Sequence, residues 1–191
     1  MFPPHPTALL HTLLQGEISP GDLVIDATAG NGHDTAFLAH HVGPFGKVIA
    51  FDIQPAAIEA TRNHLEKRNL LSQVTLVQKS HTHLADYASP ASVKAVVFNL
   101  GYLPGDKHGI STSETSTLLA LTAAATTLQL GGILAAICYP GHPAGAAEAQ
   151  SVTTFFHTLP HHRTASYSLI ATKTTSPILF IARNGRKKIP T

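Results

Sequence analysis

At 191 residues the chain is long enough to bury one sizeable core but short for two domains of ordinary size. Its formal net charge of +2, with 43% hydrophobic and 13% charged residues, permits a nucleic-acid partner without requiring one. The single cysteine, Cys138, excludes an intrachain disulfide, and no apolar run approaches the roughly 20 residues of a membrane span. We therefore expect a cytoplasmic protein with one domain over residues 1–185 and a basic tail over residues 186–191.

The predicted elements alternate between helices and short apolar strands. In chain order they are a helix at 7–14, a strand at 23–26, a helix at 33–41, a strand at 47–52, a helix at 55–68, strands at 74–78 and 93–98, a helix at 113–130 ending at a glycine pair, a strand at 133–139 and a helix at 144–158. Such alternation predicts a parallel sheet with helices on both faces, a doubly wound α/β fold.

Two further strands are predicted at 165–171 and 178–182, separated by six mostly polar residues. Six residues cannot hold a crossover helix, so these strands should pair antiparallel. A mostly parallel seven-stranded sheet with an antiparallel C-terminal hairpin is typical of Rossmann-like class I methyltransferases. A dinucleotide-binding domain would more often keep its last strands parallel.

A glycine turn follows the first predicted strand. Asp26 ends that strand, and Gly30 and Gly32 precede the next helix, so backbone amides at the helix N-terminus point into the crevice beyond the strand ends. Asp52 ends the second strand 20 residues after Gly32, where a carboxylate can accept hydrogen bonds from both hydroxyls of a ribose. The sequence therefore predicts a site for an adenosine-containing ligand.

The rest of the turn favours S-adenosylmethionine over a dinucleotide. Thr35 occupies the third glycine position of the pyrophosphate fingerprint, and an acidic Asp34 would repel a diphosphate. Asp26 or Asp34 can instead receive the methionine ammonium, and Asn31 belongs to the same turn. An equally ordinary role for Asp34 is a helix N-terminal carboxylate favoured by the helix dipole.

Two other segments are candidates for the site. Ser80 and His81 follow the third strand, where a side chain can reach an adenine edge, although a plain loop role is equally open. Asn99 ends the fourth strand and is followed by the turn residues 100–101 and by Tyr102. This is similar to the Asn-Pro-Pro-Tyr type motif of amino-group methyltransferases, in which the asparagine oxygen helps to hold the target nitrogen while the aromatic ring stacks on its base. Ordinary packing is the alternative for Tyr102.

Methylation of an amine requires a free lone pair in line with the methyl group, and an alkyl amine must first lose a proton. Asn99 can orient the nitrogen but is not a strong base. The candidate proton acceptors are Asp106, His81, Lys107 or water.

Five blocks of the sequence together resemble the class I methyltransferases known as putative rRNA methylases, whose characterised activity is tRNA 5-(aminomethyl)-2-thiouridine methylation. The blocks are DATAGNGHDT at 26–35, FDIQ at 51–54, SH at 80–81, NLGYLPG at 99–105 and GH at 141–142. The resemblance implies S-adenosylmethionine as cofactor, a tRNA anticodon stem-loop as partner and a homodimer. The methyl acceptor would be the aminomethyl nitrogen of the wobble uridine.

The same blocks extend the candidate site. Thr35, Gln54 and Asn99 join the cofactor residues. The substrate side comprises Tyr102, Leu103, Pro104, Lys107, Tyr139 and His142. Asn99, Tyr102 and Asp106 are the candidate catalytic residues. Two departures from the family pattern lie nearby: one glycine is missing after Pro104, and the glycine- and lysine-rich stretch expected near His142 is absent.

Three rivals stay open at this point. The first is a nicotinamide oxidoreductase, which would share the glycine turn. The second is a methyltransferase that acts on rRNA, a small molecule or a protein amine. The third is a catalytically silent module that only binds RNA. The basic residues are scattered rather than striped, which disfavours the last. The thirteen histidines form no His-Glu-x-x-His pattern, so we predict no metal site.

Overall fold

The computed structural model describes residues 5–101, 114–141, 143–168 and 176–185, in which seven strands form one mixed sheet. The strands are β1 (Leu23–Asp26), β2 (Lys47–Asp52), β3 (Val74–Gln78), β4 (Val93–Asn99), β5 (Leu128–Cys138), β6 (His162–Ser168) and β7 (Ile178–Asn184). Their order is β3-β2-β1-β4-β5-β7-β6. Strands β1 to β5 pair parallel, whereas β7 runs antiparallel to both β5 and β6. The predicted doubly wound sheet with an antiparallel C-terminal hairpin is confirmed.

Helices cover both faces of this sheet. They are α1 (Pro6–Gln15), α2 (His33–Val42), α3 (Pro55–Glu66), α4 (Glu114–Thr127) and α5 (Pro143–Thr158), with 3₁₀ turns at Leu71–Gln73 and His81–Asp86. Helices α1 and α3 each carry a proline in the first turn, where a missing N–H costs nothing. In the described parts of the chain, no helix combines the length and apolar character needed to cross a membrane.

The core consists of two layers, because alternate residues of each strand point to opposite faces. In β1, Val24 joins the cluster formed with α1, α2 and α3, while Ile25 joins the cluster formed with α4 and α5. Val97 and Phe98 divide in the same way in β4. The polar ends of β1, β2 and β4 therefore meet at one edge of a sheet that is buried on both faces.

The predicted boundary between α4 and β5 is wrong. The helix ends at Thr127 rather than at residue 130, and Leu128 already pairs with Val93 of β4. The register then shifts, so that Ala95 pairs with Ile133, and Gly131 adopts a left-handed φ of +78° within this irregularity. The glycine pair thus forms a bulge inside a long strand instead of a helix stop, because burial of Leu128 and strand pairing outweigh the local helical pattern.

Smaller differences occur at other ends. Helix α1 begins at Pro6 rather than at residue 7, and its N-cap residue His5 makes no side-chain cap. Helix α3 ends at Glu66, β6 begins at His162, and β7 continues to Asn184. These shifts amount to one to three residues, as is usual for element ends predicted from a sequence.

Candidate active site

The loop between β1 and α2 lies across the carboxyl edge of the sheet. The Ala27 N–H donates to the carbonyl of Val97 at 2.8 Å, and the Ala29 N–H donates to the carbonyl of Phe51 at 2.8 Å. These bonds tie the loop to the ends of β4 and β2. Asn31 is exposed in the loop.

Two glycines shape this loop. Gly30 and Gly32 have φ values of +53° and +81°, the left-handed region that side chains disfavour. A Cβ at Gly32 would also lie 2.9 Å from the Cα of Thr61 on α3. The Thr61 hydroxyl donates to the carbonyl of Gly30 at 3.0 Å, so α3 supports the loop from outside.

Asp26 is fully buried beneath the loop. Its Oδ1 accepts from the Thr28 N–H at 3.1 Å, and its Oδ2 accepts from the Thr35 hydroxyl at 2.6 Å. Burial, followed by the charge of Asp34, raises the pKa of Asp26 to about 7, despite the opposing effect of these hydrogen bonds. The two carboxyl oxygens therefore bind the loop and the start of α2. The hydroxyl of the candidate residue Thr35 is used in this buried hydrogen bond to Asp26.

Asp52 is fixed beside the glycine turn and is only partly buried. Its Oδ2 accepts from the Gly30 N–H at 2.9 Å, and its Oδ1 accepts from the Gln54 N–H at 2.9 Å. Each carboxylate oxygen retains a further lone pair for an incoming hydroxyl. This arrangement fits the predicted ribose contact. Gln54 itself is the N-cap residue of α3, and its side chain makes no capping bond.

Asn99 and Asp34 meet at the same edge. The backbone N–H of Asn99 donates to the Thr28 hydroxyl at 2.7 Å, and its side-chain Nδ2 donates to Asp34 Oδ2 at 3.2 Å. Asp34 lies in the first turn of α2, as the helix-dipole role predicts, but it is buried and bonded to other elements. The structure therefore joins the predicted substrate residue directly to the predicted cofactor turn.

His11 and Thr28 belong to this arrangement, although neither is among the site residues predicted from the sequence. His11, on α1, donates from Nε2 to Asp34 Oδ1 at 2.7 Å, and its ring stacks on Phe37 at 3.9 Å. No motif marks a histidine 23 residues before its partner. Thr28, by contrast, lies within the glycine turn, and that position in the sequence could have marked it as a candidate site residue.

His81 is a buried polar side chain next to the same loop. Among the described residues its Nε2 has no hydrogen-bond partner, and the centroid of its ring lies 5.7 Å from that of Phe98 in an edge-on arrangement. Burial lowers the pKa of His81, while a hydrogen bond to the Ala27 backbone acts in the opposite direction. Because Nε2 has no partner, that bond uses Nδ1, so neutral His81 offers the lone pair of Nε2 to a ligand.

Ser80 and Tyr139 have clear local roles. The Ser80 hydroxyl oxygen accepts from the Thr82 N–H at 3.3 Å and caps the 3₁₀ turn that begins at His81. Tyr139 follows β5 and is partly buried, and burial raises its pKa against hydrogen bonds to Thr7 and Asn99 that lower it. The predicted substrate residue Tyr139 therefore lies beside Asn99.

Six candidates lie outside the described residues: Tyr102, Leu103, Pro104, Asp106, Lys107 and His142. Among the residues that the structure does describe, no group of three histidine, cysteine or acidic side chains could hold a metal ion. The thiol of Cys138 is buried, and burial raises its pKa to about 12.

Comparison with known proteins identifies the family. The sequence profile described as "Putative rRNA methylase" matches residues 48–183. The chain belongs to the putative rRNA methylase family. A profile of protein-L-isoaspartate(D-aspartate) O-methyltransferases also matches residues 2–89, which is less than half of the chain.

Two solved structures share this fold over nearly their whole length. A putative rRNA methylase from Clostridium thermocellum has a TM-score of 0.91 and 37% identity, with 96% of this chain and 99% of that chain covered. A putative methyltransferase from Streptococcus mutans, in complex with S-adenosylhomocysteine, has a TM-score of 0.86 and 34% identity over the same shares. Membership of this methylase family and these neighbours confirm the prediction of an S-adenosylmethionine-dependent class I methyltransferase.

A curated plant relative is named for its substrate. The chloroplastic tRNA (mnm(5)s(2)U34)-methyltransferase of Arabidopsis thaliana is 39% identical over 163 residues. The match includes 81% of this chain, which spans 60% of the length of the plant protein.

Proposed function

We propose that this methylase transfers a methyl group from S-adenosylmethionine to the aminomethyl nitrogen of 5-aminomethyl-2-thiouridine at the wobble position of tRNA. The observation that carries the proposal is the junction of Asn99 with the glycine turn through Thr28 and Asp34. It puts an amide oxygen suited to a target amine beside a turn suited to an adenosine cofactor. The name of the Arabidopsis relative supports the choice of wobble uridine.

The described residues fit the cofactor. Asp52 offers lone pairs for the ribose hydroxyls, the glycine turn admits close approach to the backbone, and the unpartnered Nε2 of His81 can accept from an adenine amino group. When bound, S-adenosylmethionine supplies an electrophilic methyl group. Asp26 supports this site from beneath by holding both ends of the loop.

The protein's own contribution to the reaction is mainly positioning. Asn99 turns its Nδ2 toward the Asp34 carboxylate, which leaves its Oδ1 to accept a hydrogen from the target amine. Tyr139 lies beside it as a surface on which a base can stack. Of the side chains predicted to accept the amine proton, His81 has its one available lone pair assigned to the adenine, and Asp106 and Lys107 lie outside the described residues.

A methylation assay tests the proposal. Purified protein and labelled S-adenosylmethionine are incubated with tRNA that carries aminomethyl-thiouridine, with hypomodified tRNA and with rRNA. We expect label in the first RNA alone, in a nucleoside that co-migrates with methylaminomethyl-thiouridine. Methylation of rRNA alone would contradict the wobble assignment, although it would agree with the description of the family.

The variant Asn99→Ala should lose turnover while binding S-adenosylhomocysteine almost as the natural protein does. Its matched control is Asn63→Ala, since Asn63 is an exposed asparagine that donates to Glu59 on α3. Natural rates in Asn99→Ala would remove Asn99 from the mechanism. The homodimer remains a prediction, which light scattering of the purified protein can test.

A further inference from the structure

We propose that His11 is a positioning residue that fixes the side-chain orientation of Asn99 through Asp34. This inference rests on the function proposed above and adds a residue from helix α1 to it. The evidence is a continuous chain of contacts from His11 to Asp34 to Asn99, which joins α1, α2 and the end of β4.

The His11 ring is held in a defined plane. It lies parallel to the ring of Phe37 with an interplanar angle of 1° and a centroid distance of 3.9 Å. In this plane its Nε2 lies 2.7 Å from Asp34 Oδ1, within hydrogen-bonding distance. Because an ionised carboxylate can only accept, the hydrogen of this bond belongs to His11.

The second oxygen of Asp34 determines which way the Asn99 amide faces. Asp34 Oδ2 lies 3.2 Å from Asn99 Nδ2. A flipped amide would place its carbonyl oxygen against the carboxylate, two acceptors without a hydrogen between them. Asp34 therefore favours the orientation in which Asn99 Oδ1 points away from the carboxylate, and His11 holds Asp34 in the position that does so.

Asp34 is 8% exposed, so water cannot easily replace a lost partner. Without His11, the carboxylate would keep Asn99 as a partner but would be free to turn about its own bonds. A small displacement of an orienting group is enough to lower a rate about 100-fold when the reaction depends on alignment.

The matched variants are His11→Met and His11→Gln. Methionine and glutamine are unbranched and similar in length to histidine, and glutamine places an N–H donor at the same number of bonds from Cα as histidine Nε2. A third variant, His41→Leu, removes another histidine that contacts Phe37. The ring centroids of His41 and Phe37 are 4.3 Å apart, and His41 Nδ1 bonds to the backbone carbonyl of Phe37. It controls for loss of packing on Phe37 alone.

We expect His11→Met to lower kcat for methyl transfer about 10- to 100-fold, with the KM for RNA and the Kd for S-adenosylhomocysteine within about twofold of the natural values. His11→Gln should recover most of this loss, and His41→Leu should retain the natural kcat. In a His11→Ala variant, added imidazole should raise the rate. Equal rates in His11→Met and the natural protein, or a loss confined to cofactor affinity, would overturn the proposal.

A second measurement needs no substrate. The Asn99 side-chain amide, identified by its disappearance from the spectrum of Asn99→Ala, should shift in the ¹⁵N–¹H spectrum of His11→Met and hold its position in His11→Gln. An unshifted signal in His11→Met would refute the link to His11 even if the natural protein methylates tRNA. Failure of the natural protein to methylate tRNA, with the shift observed, would count against the proposed function instead.

Discussion

The buried carboxyl of Asp26 should make the folded chain less stable as the pH rises toward neutrality. Its pKa is raised from 3.8 to about 7, mainly by burial and then by the charge of Asp34. A raised pKa means that the folded state holds this proton more tightly than the unfolded chain does. The contribution to stability is therefore fully present below about pH 4 and is lost as the pH rises to about 7.

The magnitude follows from the change in pKa. At about 1.4 kcal/mol per pH unit, a rise from 3.8 to about 7 corresponds to about 4 kcal/mol in the free energy of unfolding. Between about pH 5 and pH 8, roughly 2.5 kcal/mol of this should be lost. In Asp26→Asn, the side chain keeps its shape, still accepts from Thr28 and can donate to a rotated Thr35 hydroxyl. That variant should lack this part of the pH dependence.

The assay is urea unfolding followed by circular dichroism across this pH range for the natural protein and the variant. Subtracting the two curves removes the titrations that they share, including those of the histidines. Asp86→Asn is the matched control, because Asp86 is an exposed aspartate. If the free energy of unfolding falls by the same amount between the two pH values in the natural protein and in Asp26→Asn, burial does not raise the pKa of Asp26.

Three further predictions concern the loop and the core. Gly32→Ala should lower the free energy of unfolding, measured in urea, by about 2–4 kcal/mol. The φ of +81° at Gly32 disfavours a side chain, and the new Cβ would lie 2.9 Å from Thr61 Cα. Unchanged stability would refute this prediction. Asp52→Ala should weaken S-adenosylhomocysteine binding about 10- to 100-fold in calorimetry, because a charged hydrogen-bond acceptor is lost beside Gly30. Unaltered affinity would place the ribose elsewhere. The thiol of Cys138 is buried and has a pKa of about 12, so it should resist iodoacetamide at about pH 8 until urea unfolds the chain. Mass spectrometry can follow the labelling. Rapid labelling of the folded protein would disprove the burial of this thiol.

Most of the architecture could be predicted because it depends on local patterns. Apolar runs such as residues 47–52 are long enough for a buried strand, and six residues between the last two strands permit only a tight return. The start of β5 could not be predicted in this way. Residues 128–130 continue the helical pattern of α4, and only the pairing of Leu128 with Val93 on another strand makes them part of the sheet.

For the site, the sequence by itself indicated the glycine turn, Asp52 and Asn99, because each lies directly after a predictable strand. Only the tertiary structure decided how they act together. The hydrogen bonds that define the site join residues 23, 65 and 71 positions apart, so they depend on strand order and helix packing rather than on local spacing. The burial that raises the pKa of Asp26 and the path from His11 to Asn99 arise in the same way, from elements that meet only after the sheet has formed.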